Sequence, residues 1–496
     1  MEPGTVRLPV SSLSVPATGT VQGRVSSDLL NWCLFFAAHV PLALLMRQVQ
    51  FLSTLHLVLT LGVGFWCAAV VHRPQPAAYV AAYIAGAEVL WRMTGAQAFW
   101  ELGKYATIAI LFVAIVRFHK LAGFSLPLIY FILLLPSAIL TVAALGLIGA
   151  RDQVSFNLSG PLALAVSAWF FSRLSLSQTQ LHRVMLTLVG PVVGIGSIAL
   201  YSTLTASYAS LDFTQESNVI TSGGFGPNQV SNMLGLGALF SFIYVLREKQ
   251  NRVLRLVMLA GVITLGTLSA LTFSRSGLYN AGAAAIAFAL VSARDMRALL
   301  RLLLVAGVLI IAADAYIIPR LEEFTKGQFS VRFQDTSLGQ RADIAEADLR
   351  IWENNLLFGV GPGMAKQYRG LSIGQAAAHT ELSRMLAEHG LFGLIALILL
   401  AAMGVRNLRY AANAQDRALV TALQVWTLLF FLNSAMRMVA PSFVFGLAFA
   451  VAAAGQAHLL DNDTRRDAPA VPLPASQLPA RGSLAGYYAD TTRERR

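Results

Sequence analysis

The chain has 496 residues, of which 56% are hydrophobic and 12% charged, with a mean hydropathy of +0.61. Soluble domains carry about 25% charged residues, so a water-soluble globular fold is excluded and an all-α polytopic membrane protein is expected. The net charge of +12 would suggest nucleic acid in a soluble chain. Among long apolar runs the basic residues are read first against the membrane, and no nucleic-acid partner is expected.

In chain order, about fourteen apolar segments of roughly 15–22 residues can span or nearly span a bilayer. They lie near 28–46, 51–71, 76–91, 100–117, 126–145, 160–174, 184–204, 229–246, 254–272, 277–292, 300–317, 387–404, 418–435 and 441–459. A margin of two in the count gives about 12–14 transmembrane helices. Cys33 and Cys67 fall inside apolar runs and form neither a disulfide framework nor a CxxC metal pair. The opening residues lack a charged segment followed by an early apolar stretch and a small-residue cleavage site. No removable signal peptide is therefore expected, and the first span reads as an anchor.

With the amino terminus in the cytoplasm, the short basic connections all fall on one side. They are His72–Arg73, Arg117–Lys120, Arg173–Arg183, Arg247–Arg255, Arg294–Arg301 and Arg406–Arg417. The carboxyl terminus is then cytoplasmic too. The chain divides into a cytoplasmic N-terminal segment (1–27), a transmembrane bundle (28–317), a large outer loop (318–386), C-terminal transmembrane helices (387–459) and a cytoplasmic tail (460–496). The tail is rich in Pro, Ala, Ser and charge, a composition of disorder.

The outer loop breaks the short-loop pattern, and a structured loop of that size usually carries function. Its middle has helical periodicity: Ile344, Ala347, Ile351 and Leu356 can share a face, with Trp352 beside them. "GVGPG" then breaks the helix, and "HTELSRMLAEHGLFG" restarts one that runs into the next span. The GxGxG within "GVGPG" follows no strand, so a nucleotide reading is weak.

Arginines in outer connections are exceptions to the charge rule and therefore informative. Arg275 sits in the turn "LTFSRSGLYN", Arg437 in "NSAMRMVAP", and Arg332 and Arg341 in the large loop, with Arg320, Arg350, Arg369 and Arg384 around them. Guanidinium groups bind phosphate by paired, charge-assisted hydrogen bonds. The alternatives are snorkelling and pairing with the loop's own carboxylates. His379 opens a helix after three alanines and is a candidate general base, with Glu381 favourable at the helix start. His389, before a glycine at the mouth of the next span, reads as an interface residue or cap. Asn228 in "GGFGPNQ" can cap the helix that follows, whose outward amino terminus is a possible anion site. No HExxH, Walker A loop, GxSxG, outer DxD pair or metal-ligand cluster is found, so neither metal nor cofactor is expected.

Four pieces, "GGFGPNQVSNMLGLG", "LTFSRSGLYNAG", "RIWENNLLFGVGPG" and "HTELSRMLAEHGLFGLIALILL", occur in an order and spacing that resembles the O-antigen ligase and O-antigen polymerase superfamily. The likeness is best from Asn218 to Leu400. The resemblance implies a GT-C-like membrane glycosyltransferase of the inverting, metal-independent kind. It would act at the periplasmic face of a bacterial inner membrane on a glycan carried by undecaprenyl diphosphate, moving it to a glycan or lipid-linked acceptor. Membrane lipids and a chain-length regulator are further implied partners. Carried over, the family histidine falls on His379, the turn arginine on Arg275 and the loop arginine on Arg341. Two departures stand out. No arginine lies between Thr205 and Gln229, where many ligases carry one, and "HTE" replaces the common "HN". The leading expectation is a polymerase of O-antigen or exopolysaccharide repeat units, and the runner-up is a ligase to the lipid A core. A flippase-type transporter is the rival from another class. Its few charges within the spans would be Glu88, Glu101 and Lys104, of which the last two can pair.

Overall fold

The computed structural model describes residues 19–118, 125–206, 213, 216–293, 313–334, 340–370 and 380–467, with positions 300, 303, 304, 307, 310 and 311. Every regular element among them is helical. The first ten helices are α1 (Gly19–Gln48), α2 (Gln50–Ala69), α3 (Gln75–Met93), α4 (Leu102–Arg117), α5 (Leu126–Ile132), α6 (Ala138–Phe171), α7 (Gln178–Thr205), α8 (Pro227–Arg247), α9 (Arg252–Leu271) and α10 (Arg275–Ser292). A π-helical turn, Ala313–Ile317, leads into α11 (Ile318–Thr325), α12 (Gln328–Gln334), α13 (Gln340–Asn354) and α14 (Ala365–Tyr368). The chain then returns through α15 (Glu381–Tyr410), α16 (Ala414–Asn433) and α17 (Ala440–Asp467). One compact unit runs to Gln456 and a second begins at Ala457.

Seven described helices are long and apolar enough to cross a membrane: α1 from Asp28, α2, α6, α7, α8, α9 and α15. The protein is an all-α, multi-pass membrane protein. One pair of expected spans is drawn differently. The segments 126–145 and 160–174 with a short loop between them are instead the short α5, a turn, and the long α6, broken at Gly146 (φ 69°, ψ 168°). The polar stretch "RDQVSFN" reads as a loop by hydropathy, yet it is an extension of α6. Asp152, Gln153 and Asn157 are therefore mounted on a helix.

Helices cross closely where side chains are small. A Cβ on Gly86 of α3 would fall 2.4 Å from the Leu188 carbonyl of α7, and one on Gly277 of α10 would fall 2.0 Å from the Ser231 carbonyl of α8. In lipid, such close backbone approach replaces the hydrophobic drive that joins helices in water. One chain of polar groups inside the bundle is paired throughout. Trp91 donates to His56 Nδ1 (2.8 Å), and Tyr83 Oη lies 2.8 Å from His56 Nε2 and 2.9 Å from His39 Nε2. His39 Nδ1 lies 2.7 Å from the Phe35 carbonyl. Because indole only donates and a carbonyl only accepts, both tautomers are set: His56 carries its proton on Nε2 and His39 on Nδ1.

Several connections expected on one side are tied to one another, while most of Arg294–Arg301 lies outside the described residues. Arg117 donates to the last carbonyls of the α2 end, Val71 at 2.8 Å and Val70 at 2.9 Å. Arg183 pairs with Asp28, His182 with Glu248, and Arg247 with Asp416 at 3.0 Å. Basic residues that satisfy helix C-terminal carbonyls and the carboxylates beside them are well placed against the helix dipole.

Candidate functional site

The turn between α9 and α10 is built around an unusual residue. Phe273 is fully buried with φ 57°, a left-handed conformation that a bulky side chain rarely adopts. Its ring packs against Phe213 (5.1 Å) and Phe329 (6.4 Å), which offsets the strain. Its carbonyl accepts a hydrogen bond from Arg332 Nε at 2.9 Å. Two residues on, Arg275 opens α10. Arg341, in the first turn of α13, has its guanidinium pKa pushed down by burial and then by the charge of Arg275. Three of the four predicted arginines thus share one region, with the α11–α12 pair folded against the α9–α10 turn. An anion seated between Arg275 and Arg341 would offset their mutual repulsion.

Asn228 does something other than expected. Gly226 is the N-cap of α8 and Pro227 occupies the first turn, where its missing N–H costs nothing. Asn228 therefore lies two positions too far along to cap. Its side chain accepts from Ser276 and from Asn232 Nδ2 (2.9 Å). Asn280 donates to Asn232 (2.8 Å), and Asn433 to Asn280 (2.8 Å). This ladder ties α8, α10 and α16 together directly behind Arg275.

Arg437 is on the non-helical segment 434–439 between α16 and α17. Buried charged groups hold that segment. Glu88 accepts from the Val439 N–H (2.6 Å) and Glu381 from the Met436 N–H (3.1 Å). Arg92 donates to the Arg437 carbonyl (3.1 Å), and Lys104 approaches that of Met436 at 3.5 Å. Arg92 also pairs with Glu88 (2.7 Å) and donates to Gln229 (2.8 Å). The charges that a transport reading would invoke are thus the frame of a turn, and Lys104 reaches that turn while Glu101 lines a cavity. The Arg437 guanidinium pKa is lowered by burial and next by Arg384, with Glu381 opposing. Beside it opens a cavity of about 360 Å³. One wall is Asp152, Gln153, Phe156 and Asn157 of α6; the other carries Gly363, Lys366, Arg369, Arg384 and Glu388.

The outer loop's central helix forms, but its buried face differs from the expected one. Ile344 and Ile351 are buried as predicted, whereas the helix ends at Asn354 and Leu356 is 60% exposed. The buried position between them is Asp348, which pairs with the equally buried Arg369 (2.8 Å) and accepts from Ser383 (2.9 Å). Arg384 is buried between Glu381 and Glu388, the latter at 2.6 Å. Of the surrounding arginines, only Arg320 and Arg350 lie at the surface, each paired to a neighbouring glutamate.

"GVGPG" acts as a clamp. Helix α15 kinks at Gly390 (φ 59°), freeing carbonyls that its own N–H groups would normally take. Val360 N–H donates to Ala387 (2.9 Å), Gly361 N–H to Glu388 (3.0 Å), and Leu391 N–H to Leu356 (2.7 Å). Gly359 sits so close that a Cβ would fall 2.5 Å from the Ala387 carbonyl. His389, fully buried at the kink, lies 2.5 Å from Ser137 Oγ of the α5–α6 turn. It is a core residue, not an interface residue or cap. Thr380 caps α15 through Ser383 N–H. His379 lies outside the described residues, next to that cap.

Residues 260–398 match the family model described as O-antigen ligase. This match supports the O-antigen ligase and polymerase superfamily. No curated protein matches it. The matched superfamily segment contains Arg275, Arg332, Arg341, His379, the Asp348–Arg369 pair and the "GVGPG" clamp. Arg437, Asn228 and the α6 wall of the cavity lie outside it. Sequence reasoning missed Arg92 as a hub and Asp348 as an anchor. The spacings Glu88–Arg92 and Glu381–Arg384–Glu388, one turn apart on a helix face, are the signals that could have found the buried pairs.

Proposed function

We propose that the protein is a polymerase of the superfamily. It adds repeat units to a glycan carried on undecaprenyl diphosphate at the periplasmic face of a bacterial inner membrane, with both chain termini cytoplasmic. Arg275, Arg332 and Arg341 bind the diphosphate and stabilise the charge that develops as it departs. His379 takes the proton of the acceptor hydroxyl as its oxygen attacks the anomeric carbon with inversion, without a metal. The observation that carries this reading is the convergence of three arginines, one of them partly desolvated against another, inside the matched segment.

The test is the surface-glycan profile of cells lacking the protein, complemented with wild type, Arg275→Ala or His379→Ala at matched expression. The polymerase reading expects both variants to lose polymer and leave single repeat units on the carrier. A ligase reading is favoured by the description of the matching family. It expects finished chains to accumulate on the carrier without reaching their acceptor. A normal profile with both variants would remove the transfer chemistry and restore the transport alternative.

A further inference from the structure

Resting on the transfer reading, we propose that the cavity beside Arg437 is a carbohydrate subsite. It takes the uncharged, hydroxyl-bearing part of the glycan, and Arg437 serves there and not at the diphosphate. Charge is the first argument. Two of the four cations in the lining are already neutralised: Arg369 by Asp348, and Arg384 by Glu381 and Glu388. Glu101 and Asp152 share the lining with Lys366 and Arg437, so five carboxylates stand beside four cations. A diphosphate placed here would face Glu101, Asp152 and Glu388, whereas Arg275, Arg332 and Arg341 come together elsewhere.

Hydrogen-bonding character is the second argument. A sugar hydroxyl both donates and accepts, so its site needs both kinds of partner. This lining supplies carboxylates, amides, an ammonium and guanidiniums around the ring of Phe156, against which a C–H face can lie. The volume, about 360 Å³, falls in the range of small-molecule sites. The third argument is how the amides are kept at the wall. Gly363 has φ 79°, and a Cβ there would fall 2.6 Å from both Asn157 Nδ2 and Gln153 Oε1. Only glycine lets the "GVGPG" clamp approach α6 without displacing these two side chains.

The full-length protein in lipid nanodiscs is titrated with two probes. One is an oligosaccharide released by mild acid from the host's own surface polysaccharide; the other is farnesyl diphosphate. Gln153→Ala and Asp152→Asn are each expected to raise the oligosaccharide Kd about tenfold, the loss of one or two hydrogen bonds. The farnesyl diphosphate Kd should stay within about twofold, which also shows that the variants fold. Arg341→Ala should do the reverse. Absent oligosaccharide binding by wild type, unchanged oligosaccharide affinity in both α6 variants, or competition by inorganic pyrophosphate would each overturn the proposal. Binding is read without turnover. Normal polymer in cells carrying Arg275→Ala would therefore remove the polymerase reading while leaving the binding result intact.

Discussion

The Arg275 region and the Arg437 segment both place guanidinium groups at the loop-bearing end of the bundle, but they are built in opposite ways. Arg275 gathers with Arg332 and Arg341 on a scaffold of a strained Phe273, its aromatic neighbours and an uncharged asparagine ladder. Around Arg437 the scaffold itself is ionic, with Glu88, Arg92, Lys104, Glu381 and Arg384 holding one another and the turn. An apolar scaffold leaves positive potential for a ligand to use. An ionic scaffold consumes it in fixing geometry. Counting arginines along the sequence treats the two regions alike; their partners separate them.

The sharpest way to break this contrast is to remove one cation from each. Arg384→Ala would leave Glu381 and Glu388 buried together without their partner, which costs about 3–5 kcal/mol for a buried pair. The expected result is a large loss of folded protein, read as a thermal transition of the purified chain. Arg275→Ala leaves the buried Glu381–Arg384–Glu388 set intact. Its transition should hold while turnover falls by about 10²–10³, the scale for removing one group that stabilises developing charge. If Arg275→Ala unfolds the protein and Arg384→Ala does not, the assignment of scaffold and site is reversed.

How far the sequence foretold this arrangement depends on how local each cause is. The helical class, the run of spans and the clustering of basic connections follow from hydropathy and charge, which are properties of short windows. The helix within the outer loop was legible from Ile344 and Ile351. Its end at Asn354, short of Leu356, was not, because "NNLLFG" leaves the helix to reach the kink at Gly390, a contact made across the fold. Asp348 carries no local signal of burial; its burial depends on Arg369 folding back upon it. The frame around Arg437 joins residues as far as 351 positions apart, beyond any spacing rule. Asn228 was given a cap's role because capping is read from neighbours, while its true partners are Asn232 a turn along α8 and Ser276 on α10.

A smaller effect tests geometry within the cationic region. Arg341→Lys keeps the charge but not the planar fork, so paired hydrogen bonds to a phosphate are lost. About a tenfold rise in KM for the lipid-linked donor is expected, at nearly constant kcat. Arg437→Lys, in a cavity that takes neutral groups, should leave the donor KM unchanged. Equal effects from the two substitutions would merge the regions into one anion site.

The smallest effect is expected from Glu88→Gln, and it bears on the frame alone. The glutamine carbonyl oxygen can still accept from the Val439 N–H, so the turn keeps its shape. The charge that holds Arg92 at 2.7 Å is gone, and a charge-assisted bond becomes an ordinary one, a loss of about 1 kcal/mol. Arg92 in turn bonds the carbonyl of Arg437, so the loosening should reach that side chain and nothing around Arg275. Oligosaccharide affinity should fall about fivefold, with farnesyl diphosphate affinity unchanged. Were the diphosphate affinity to fall instead, the ionic frame would be serving the Arg275 region, and the separation of the two would fail at its foundation.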